Sequence, residues 1–317
     1  MREKGDARAM HERRVAITGA SGVVGKALTD ELRAHDYDVI ALTSADGDLR
    51  IQEVAERLIL DLKPWAVVHL AARVRGLMGN VDAQGRAYLD NIRVNTNVVE
   101  AARLAGVTKL LGMGSTAVYS DCVPLPMSED DLWLGGPHGS EAGYAHAKRA
   151  MIAQLEAYHA EYGMDYAVAL STNLYGPHDR FDEVHGHVLP SLVAKFHRAA
   201  TTGSDVDVWG TGTPTRDFLY ATDAARALRI VLEQYSGVIN MATGTSVTIR
   251  DIADLLTDIS GLTGAVTWDR SKPDGQHARA YDVSRIHALG WRPEVDLREG
   301  LAATYQWYAE HWREARR

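Results

Sequence analysis

The chain of 317 residues has a single cysteine, Cys122, so no disulfide can form within it, and a reducing compartment suits it. Positive charge is also in deficit: 42 acidic residues face 34 basic ones, a formal net charge of −8. That balance gives no electrostatic reason to bind nucleic acid or an anionic membrane. It leaves small anionic ligands open, because their sites are built from local amides and a few cations. No apolar run approaches the roughly 18 residues of a membrane span. Residues 1–14 are charged and lack an apolar stretch, so no secretory signal is expected, and residues 1–13 read as a loose tail. Metal-site spacing is missing too. His185 and His187 are two apart, with His178 and His138 scattered nearby, and no cysteine or carboxylate partners complete a zinc set. The expectation is a cytoplasmic globular enzyme without metal, nucleic-acid or membrane partners.

What is present is an alternation of strands and helices. Residues 14–18 (RVAIT) read as a buried strand and Gly25 to His35 as a helix; Asp38 to Thr43 is a second strand. The pattern continues with a helix from Ile51 to Leu62, a strand from Trp65 to Ala71, a helix from Asn91 to Ala105 and a strand from Lys109 to Gly114. A long helix from Tyr144 to Tyr162 and a strand from Asp165 to Ser171 follow. Apolar runs in the strands, in place of strict alternation, indicate a parallel sheet covered on both faces. The predicted fold is α/β, a Rossmann-type doubly wound parallel sheet with a smaller mixed α/β carboxy-terminal lobe. After Gly176-Pro177 turn residues multiply, so a dinucleotide-binding domain is drawn over residues 14–176. A substrate lobe, intercalated with it, spans residues 177–317.

Gly19-x-x-Gly22-x-x-Gly25, with Ser21 and Val23 inside it, lies between the first strand and the first helix. Glycines there permit a tight turn and close approach to a diphosphate, which rests on the helix's amino end. The expected ligand is therefore a dinucleotide. At the end of the second strand an acidic residue suits NAD and an arginine suits NADP. The segment Leu42-Thr43-Ser44-Ala45-Asp46 offers neither in the obvious place. The hydroxyls of Thr43 and Ser44 can serve either form, and the lack of an immediate carboxylate favours NADP, with NAD possible. Leu70, Ala71 and Ala72, ending the third strand, are further cofactor candidates.

Tyr144 and Lys148 are four apart, on one face of a helix. A cation beside a phenol favours phenolate and lowers its pKa, which makes an acid/base usable near neutrality. Ser115 follows a strand, where its hydroxyl can hydrogen-bond a substrate carbonyl. A Tyr-x-x-x-Lys spacing alone is common on amphipathic helices. Joined to the glycine turn and to a serine after the intervening strand, it points to catalysis.

With these residues the sequence resembles the extended short-chain dehydrogenases of the NAD-dependent epimerase/dehydratase type, and within them the GDP-L-fucose synthase family. The likeness runs from about Val15 to Trp307. It is most specific in residues 172–177 (TNLYGP), 187–190 (HVLP), 209–218 (WGTGTPTRDF), 268–275 (WDRSKPDG) and 304–307 (TYQW). The resemblance implies NADPH-dependent reduction of the 4-keto group of a GDP-4-keto-6-deoxy-hexose, preceded by inversion at C3 and C5. It also implies a homodimer through two helices of the first domain. It marks His187 as an acid/base residue and Asn173 as orienting the cofactor or a diphosphate, and it adds Thr116 and Lys195 as substrate contacts. Lys272 and Asp274 lie in a turn-rich loop that resembles the family's nucleotide-contacting segment and are added with them; the competing reading is a plain surface turn. Arg216 suits a diphosphate, because a guanidinium matches its oxygens bidentately; the competing reading is a surface pair with Asp217. Trp209 suits stacking on guanine, although tryptophan more often fills a core. Asn91 is a candidate to carry a water, while Asn97 reads as structural and His69 as a satisfied core histidine.

One position departs. Where the family has Gly-Ser-Ser-Cys-Ile-Tyr, this chain has Gly114-Ser115-Thr116-Ala117-Val118-Tyr119. The cysteine of the family's epimerising acid/base pair is therefore Ala117, and a methyl group cannot exchange a proton with a carbon. Cys122, five positions on, is not the same residue. The expectation is a C4 ketone reductase of a GDP-4-keto-6-deoxy sugar, hexose or heptose, with C3/C5 epimerase activity lost or reduced. The alternatives are an isomerase holding NAD(P) tightly and a non-catalytic dinucleotide-binding regulator.

Overall fold

The computed structural model describes residues 13–74, 82–272 and 274–316. Residues 1–12, most of the expected tail, lie outside that set. The first half alternates β1 (Arg14–Thr18), α1 (Val23–Ala34), β2 (Asp38–Leu42), α2 (Gln52–Leu62), β3 (Ala66–His69), α3 (Gln84–Leu104), β4 (Lys109–Met113), α4 (Ala142–Tyr162) and β5 (Asp165–Ser171). Then come β6 (Asn173–Tyr175), α5 (Val188–Thr202), β7 (Val206–Trp209), β8 (Thr215–Arg216), β9 (Phe218–Tyr220), α6 (Ala221–Gln234) and β10 (Gly237–Met241). The chain ends with β11 (Val247–Thr248), α7 (Ile249–Ser260), β12 (Val266–Asp269), α8 (Ser284–Ala288) and α9 (Leu297–His311).

Six strands form one parallel sheet in the order β10-β5-β4-β3-β1-β2. Both of its faces are buried, which is why the strands read as apolar runs. Val15, Ile17, Val68 and Leu111 pack beneath Leu28 and Leu32 of α1 and Leu228 and Val231 of α6. Ala16, Val67 and Leu110 point the other way, against Ile59 of α2, Val98 and Val99 of α3, and Ile152 and Leu155 of α4. The doubly wound α/β architecture expected from the sequence is the one observed.

From β1 the chain passes to β2 on one side and then to β3 on the other. A crevice therefore opens beyond the carboxy ends of β1 and β3, the switch point where ligands of such sheets bind. A third core, around Phe196, Val208, Leu256 and Tyr308, is built largely from α5, β7, α7 and α9. The second half is not all one lobe: α6 and β10 belong to the large sheet layer. The parallel pair β6–β9 and the bond from the Thr172 hydroxyl to the Asp217 carbonyl (2.9 Å) stitch the two regions together.

One element differs from its expected bounds. The helix read from Asn91 begins at Gln84, two turns earlier. Gly85 weakens the helical signal, but the Gln84 amide anchors the start by donating to the Gly139 and Ser140 carbonyls and accepting from the Gly143 amide. Asn91 consequently lies inside the helix. Its amide is spent on the backbone of Arg73 and Ala87, so it is a strut for the segment after β3 rather than the water carrier expected. Asn97 donates to the Leu49 carbonyl, a structural use.

Candidate active site

The glycine turn is shaped by close approaches. Gly19 has φ +75°, and a Cβ there would sit 2.8 Å from the Ala71 amide nitrogen. At Gly25 a Cβ would fall 2.4 Å from the Gly19 carbonyl oxygen. Neither position tolerates a side chain, so the turn from β1 lies flat against the end of β3. Helix α1 starts on Gly22 with no side-chain cap and no acidic residue in its first turn. Its amino-terminal amides and positive dipole end are thus left to an anion.

Around this turn lies a cleft of about 790 Å³ running the length of the crevice. Every expected cofactor residue lines it: Gly19, Ser21, Gly22, Val23, Gly25, Thr43, Ser44, Leu70, Ala71, Ala72, Tyr144, Lys148 and Asn173. So do the expected substrate residues Ser115, Thr116, His187, Lys195, Trp209, Arg216 and Asp274. Lys272 does not. It is exposed, with Nζ 5.4 Å from the centre of the Trp209 ring, while Lys195 lies 5.0 Å from that ring centre. The two ammonium groups flank an indole, and only Lys195 reaches the cleft. Eight arginines and lysines line the cleft against five carboxylates, so its wall is cationic on a chain whose net charge is −8.

At the ribose end the side chains are more committed than their types suggested. The amide and hydroxyl of Thr43 both donate to Asp46 (2.7 and 3.0 Å), folding that carboxylate back onto the turn. Asp48 lines the cleft but is pinned by Arg50 through bonds of 2.6 to 3.1 Å. Those bonds hold its carboxyl down at about 2. Arg50 and Arg73 supply cations at this end of the wall, which the sequence reading missed because neither sits at the end of β2. His69 is fully buried between the Thr18 hydroxyl (2.7 Å) and the Asn95 amide oxygen (3.1 Å), and burial pushes it down to about 3. It is a satisfied core histidine.

Ser115, Tyr144 and Lys148 converge in the middle of the cleft. Ser115 caps the short 3-10 turn Thr116–Val118, its hydroxyl accepting from the Ala117 amide at 3.2 Å. Tyr144 hydrogen-bonds Ser115, and its ring lies 5.8 Å from Lys148 Nζ. Lys148 is wholly buried and donates to the Met113 carbonyl at 2.7 Å. The expectation that Lys148 would draw the phenol down is not met. Burial dominates and, with the charge of Glu141, raises the Tyr144 pKa, so the phenol keeps its proton at neutral pH. Lys148 itself is pushed down to about 8 by burial.

This has a consequence for stability. The unfolded lysine titrates near 10.5 and the folded one near 8. Below pH 8 both states are charged and the folded one carries the full desolvation cost, on the order of 3 kcal/mol. Between pH 8 and 10.5 the folded state sheds its proton first, and the cost fades. Lys148→Met is therefore expected to melt higher than the parent at pH 7, by about 1–2 kcal/mol after the lost bond to Met113 is counted. Thermal denaturation from pH 7 to 11 should show that advantage vanishing.

At the far end Arg216 is half-buried and forms no ion pair with Asp217. Asp217 is buried and accepts from the amides of Thr243 (3.1 Å) and Gly244 (2.8 Å). The surface-pair reading of Arg216 is thereby overturned. Asp274 lines the cleft with both oxygens engaged by Thr211 (2.6 and 2.8 Å), and the Asn173 amide donates to the Asp217 carbonyl. Arg279 and Tyr281, unmarked in the sequence, line the wall beside Thr116, whose carbonyl accepts from Arg279 at 2.6 Å. Ala117 is also in that wall, packed with Tyr144, Ala145, Ala87 and Ala72. Cys122 is exposed and does not line the cleft. Among the described residues no cluster of His, Cys, Asp or Glu suits a metal, and no helix is long and apolar enough to cross a membrane.

Residues 15–242 match the NAD dependent epimerase/dehydratase family. The chain is 39% identical over 303 residues to a probable GDP-L-fucose synthase 1 of Oryza sativa subsp. japonica, covering 94% of this chain and 92% of that protein. It is similar to the crystal structure of a GDP-L-fucose synthetase from Naegleria fowleri bound to NADP, with TM-score 0.88, 30% identity and 96% of each chain covered. It is also similar to a GDP-6-OMe-4-keto-L-xylo-heptose reductase from C. jejuni, with TM-score 0.89, 26% identity, and 94% of this chain and 98% of that one covered.

Proposed function

The chain belongs to the NAD dependent epimerase/dehydratase family, and on that premise we propose that it is an NADPH-dependent reductase of a GDP-4-keto-6-deoxy sugar, hexose or heptose, with its C3/C5 epimerase activity lost or reduced. At the coarser level it is an NAD(P)-dependent oxidoreductase acting on a sugar nucleotide. The finer reading rests on Ala117, a methyl group in the cleft wall beside an intact Ser115, Tyr144 and Lys148.

The cleft fits a dinucleotide. Gly19 and Gly25 leave room that a Cβ would fill, the uncapped start of α1 suits its diphosphate, and Arg73 suits an added phosphate, Arg50 being held by Asp48 and Asp90. NADPH, when bound, supplies the hydride for the 4-keto carbon. The protein's part is protonic and electrostatic. The Tyr144 hydroxyl, protonated in its buried site, donates its proton to the ketone oxygen as that oxygen becomes an alkoxide. Lys148 offsets the charge left on the phenolate. The Ser115 hydroxyl donates a hydrogen bond to the same oxygen, holding the developing charge. Lys195 and Arg216 suit the sugar-nucleotide diphosphate, and Trp209 suits the base. Ser115, Tyr144 and Lys148 line the cleft together, which supports reduction, and the methyl of Ala117 carries no proton to exchange, which supports the loss of inversion at two carbons.

A homodimer through α3 and α4 accompanies this reading. The two helices pack on each other, and Tyr88, Leu89, Leu104 and Tyr162 are exposed along them. The deciding experiment is reduction of a GDP-4-keto-6-deoxy sugar with NADPH in deuterated water, with the product read by NMR. A C4 alcohol without deuterium at both C3 and C5 is expected. Deuterium at both carbons refutes the loss of double epimerisation, and turnover without net NADPH consumption refutes the reductase in favour of an isomerase.

A further inference from the structure

Lys148 is not the only buried cation on α4. Arg149, the next residue, is 8% exposed, and reduction as proposed does not use it. Among the described residues no carboxylate pairs with it, and burial alone acts on its guanidinium, pushing the pKa down. Its Nη2 is one of five buried side-chain nitrogen or oxygen atoms without a hydrogen-bond partner among those residues. A cation is kept in such a place when it does there what an apolar side chain cannot.

What Arg149 does is hold backbone. Its Nε donates to the Val118 carbonyl at 2.9 Å and its Nη1 to the Gly135 carbonyl at 2.7 Å. Lys148 Nζ meanwhile donates to the Met113 carbonyl at 2.7 Å. Successive helical residues point roughly 100° apart, so two neighbours on α4 grip the two ends of one segment, residues 113–118. Ser115 lies between those anchors. The Val118 amide closes the turn by donating to the Ser115 carbonyl at 3.1 Å, and the Ala117 amide donates to the Ser115 hydroxyl at 3.2 Å. Val118 is thus bonded to Ser115 through its amide and to α4 through its carbonyl. The second carbonyl that Arg149 holds is also fixed. Gly135 has φ +62°, and a Cβ there would lie 2.7 Å from the Ser120 hydroxyl oxygen, so its loop is folded close on the chain just past the turn. The Trp133 ring of that loop, its centre 5.9 Å from the guanidinium carbon, lies over Arg149.

We propose that Arg149 is a positioning residue for Ser115: by tying the Val118 carbonyl to the helix that carries Tyr144, it sets the reach of the Ser115 hydroxyl to the oxygen that Tyr144 protonates. Without it, only the anchor at Met113 remains of the two that α4 provides to this segment. A misplacement of about 1 Å at a reacting centre costs about 10²-fold in rate, whereas binding, carried by the rest of the cleft, changes little. The proposal rests on the reductase reading, in which Ser115 holds the developing alkoxide.

The test compares NADPH-dependent reduction of a GDP-4-keto-6-deoxy sugar by the parent, Arg149→Met, Ser115→Ala and the double variant. Arg149→Met should lower kcat at least about tenfold, with KM for sugar nucleotide and NADPH within about twofold of the parent's. In the Ser115→Ala background the same substitution should cost less than about twofold, because alanine has no hydroxyl to place. A kcat in Arg149→Met equal to the parent's overturns the proposal. So does a loss as large without the serine hydroxyl as with it, which is the mark of a general strut. A Ser115→Ala variant as fast as the parent overturns it too, by removing the role that Arg149 would serve. Absence of C4 reduction in the parent sinks the reductase reading itself, which the other outcomes leave standing. Should Arg149→Met not fold, as judged by circular dichroism, Arg149→Gln, whose amide cannot bridge both carbonyls, is judged by the same criteria.

Discussion

Tyr144→Phe is expected to lower the rate of C4 reduction by about 10²- to 10⁴-fold, the usual worth of a positioned general acid. The ring is nine-tenths buried and packs with Ala117, Ala145 and Ala87, so the fold has no reason to change when only the hydroxyl goes. On the proposed reading, what is lost is a proton whose donor is neutral at physiological pH and hydrogen-bonded to Ser115. Lys148 is a poor substitute, because its ammonium is directed at the Met113 carbonyl. Single-turnover absorbance of NADPH separates this loss from any change in binding. A variant retaining more than about a tenth of the parent rate rejects Tyr144 as the acid. The pH dependence adds a second handle. Lys148 loses its charge as pH rises through about 8, so parent turnover should fall above that point as the phenolate loses its counter-charge, whereas the residual rate of Tyr144→Phe should not follow the same curve.

The sheet and the cofactor turn were legible in the sequence because their causes are local. A strand buried on both faces must be apolar at every position, and a turn whose Cβ atoms would meet backbone must be glycine, so residues 14–25 announce themselves. The meeting of Tyr144 and Lys148 in the cleft was legible because helical spacing puts them on one face. Other features depended on contacts far apart in the chain. Gln84 starts a helix through partners at 139–143, which no window of a dozen residues can show. Arg279 and Tyr281 reach the wall because the Met127 amide donates to the Ala280 carbonyl, a pairing across some 150 residues. The direction of the Tyr144 shift was misjudged for a related reason: spacing shows which charges are near, but burial comes only from the assembled core. Lys272 looked like its near neighbour Asp274 in the sequence, yet Lys272 is exposed and outside the cleft wall while Asp274 is held by Thr211.

The largest gain of function is expected from Ala117→Cys. Ala117 sits on the short turn Thr116–Val118 with its methyl in the cleft wall, while His187 lines the same cleft from the start of α5. Inversion at a carbon beside a ketone needs one group to remove a proton and another to return one from the opposite face. On the proposed reading the His187 imidazole is one half of that pair, and a thiol at 117 supplies the other. Ala117 is buried against Tyr144 and the small residues Ala87, Ala145 and Ala72, so the added sulfur should cost about 1–3 kcal/mol in stability. In deuterated water the variant should place deuterium at both C3 and C5 at a rate at least about 10²-fold above the parent's, with NADPH-dependent reduction retained. Ala117→Ser serves as the control of shape, since a hydroxyl is far too weak an acid to trade protons with an enolate at neutral pH. If Ala117→Cys reduces the ketone yet labels neither carbon, the identity of residue 117 is not what separates reduction from inversion here. If Ala117→Ser labels both, room in the wall rather than thiol acidity governs the reaction.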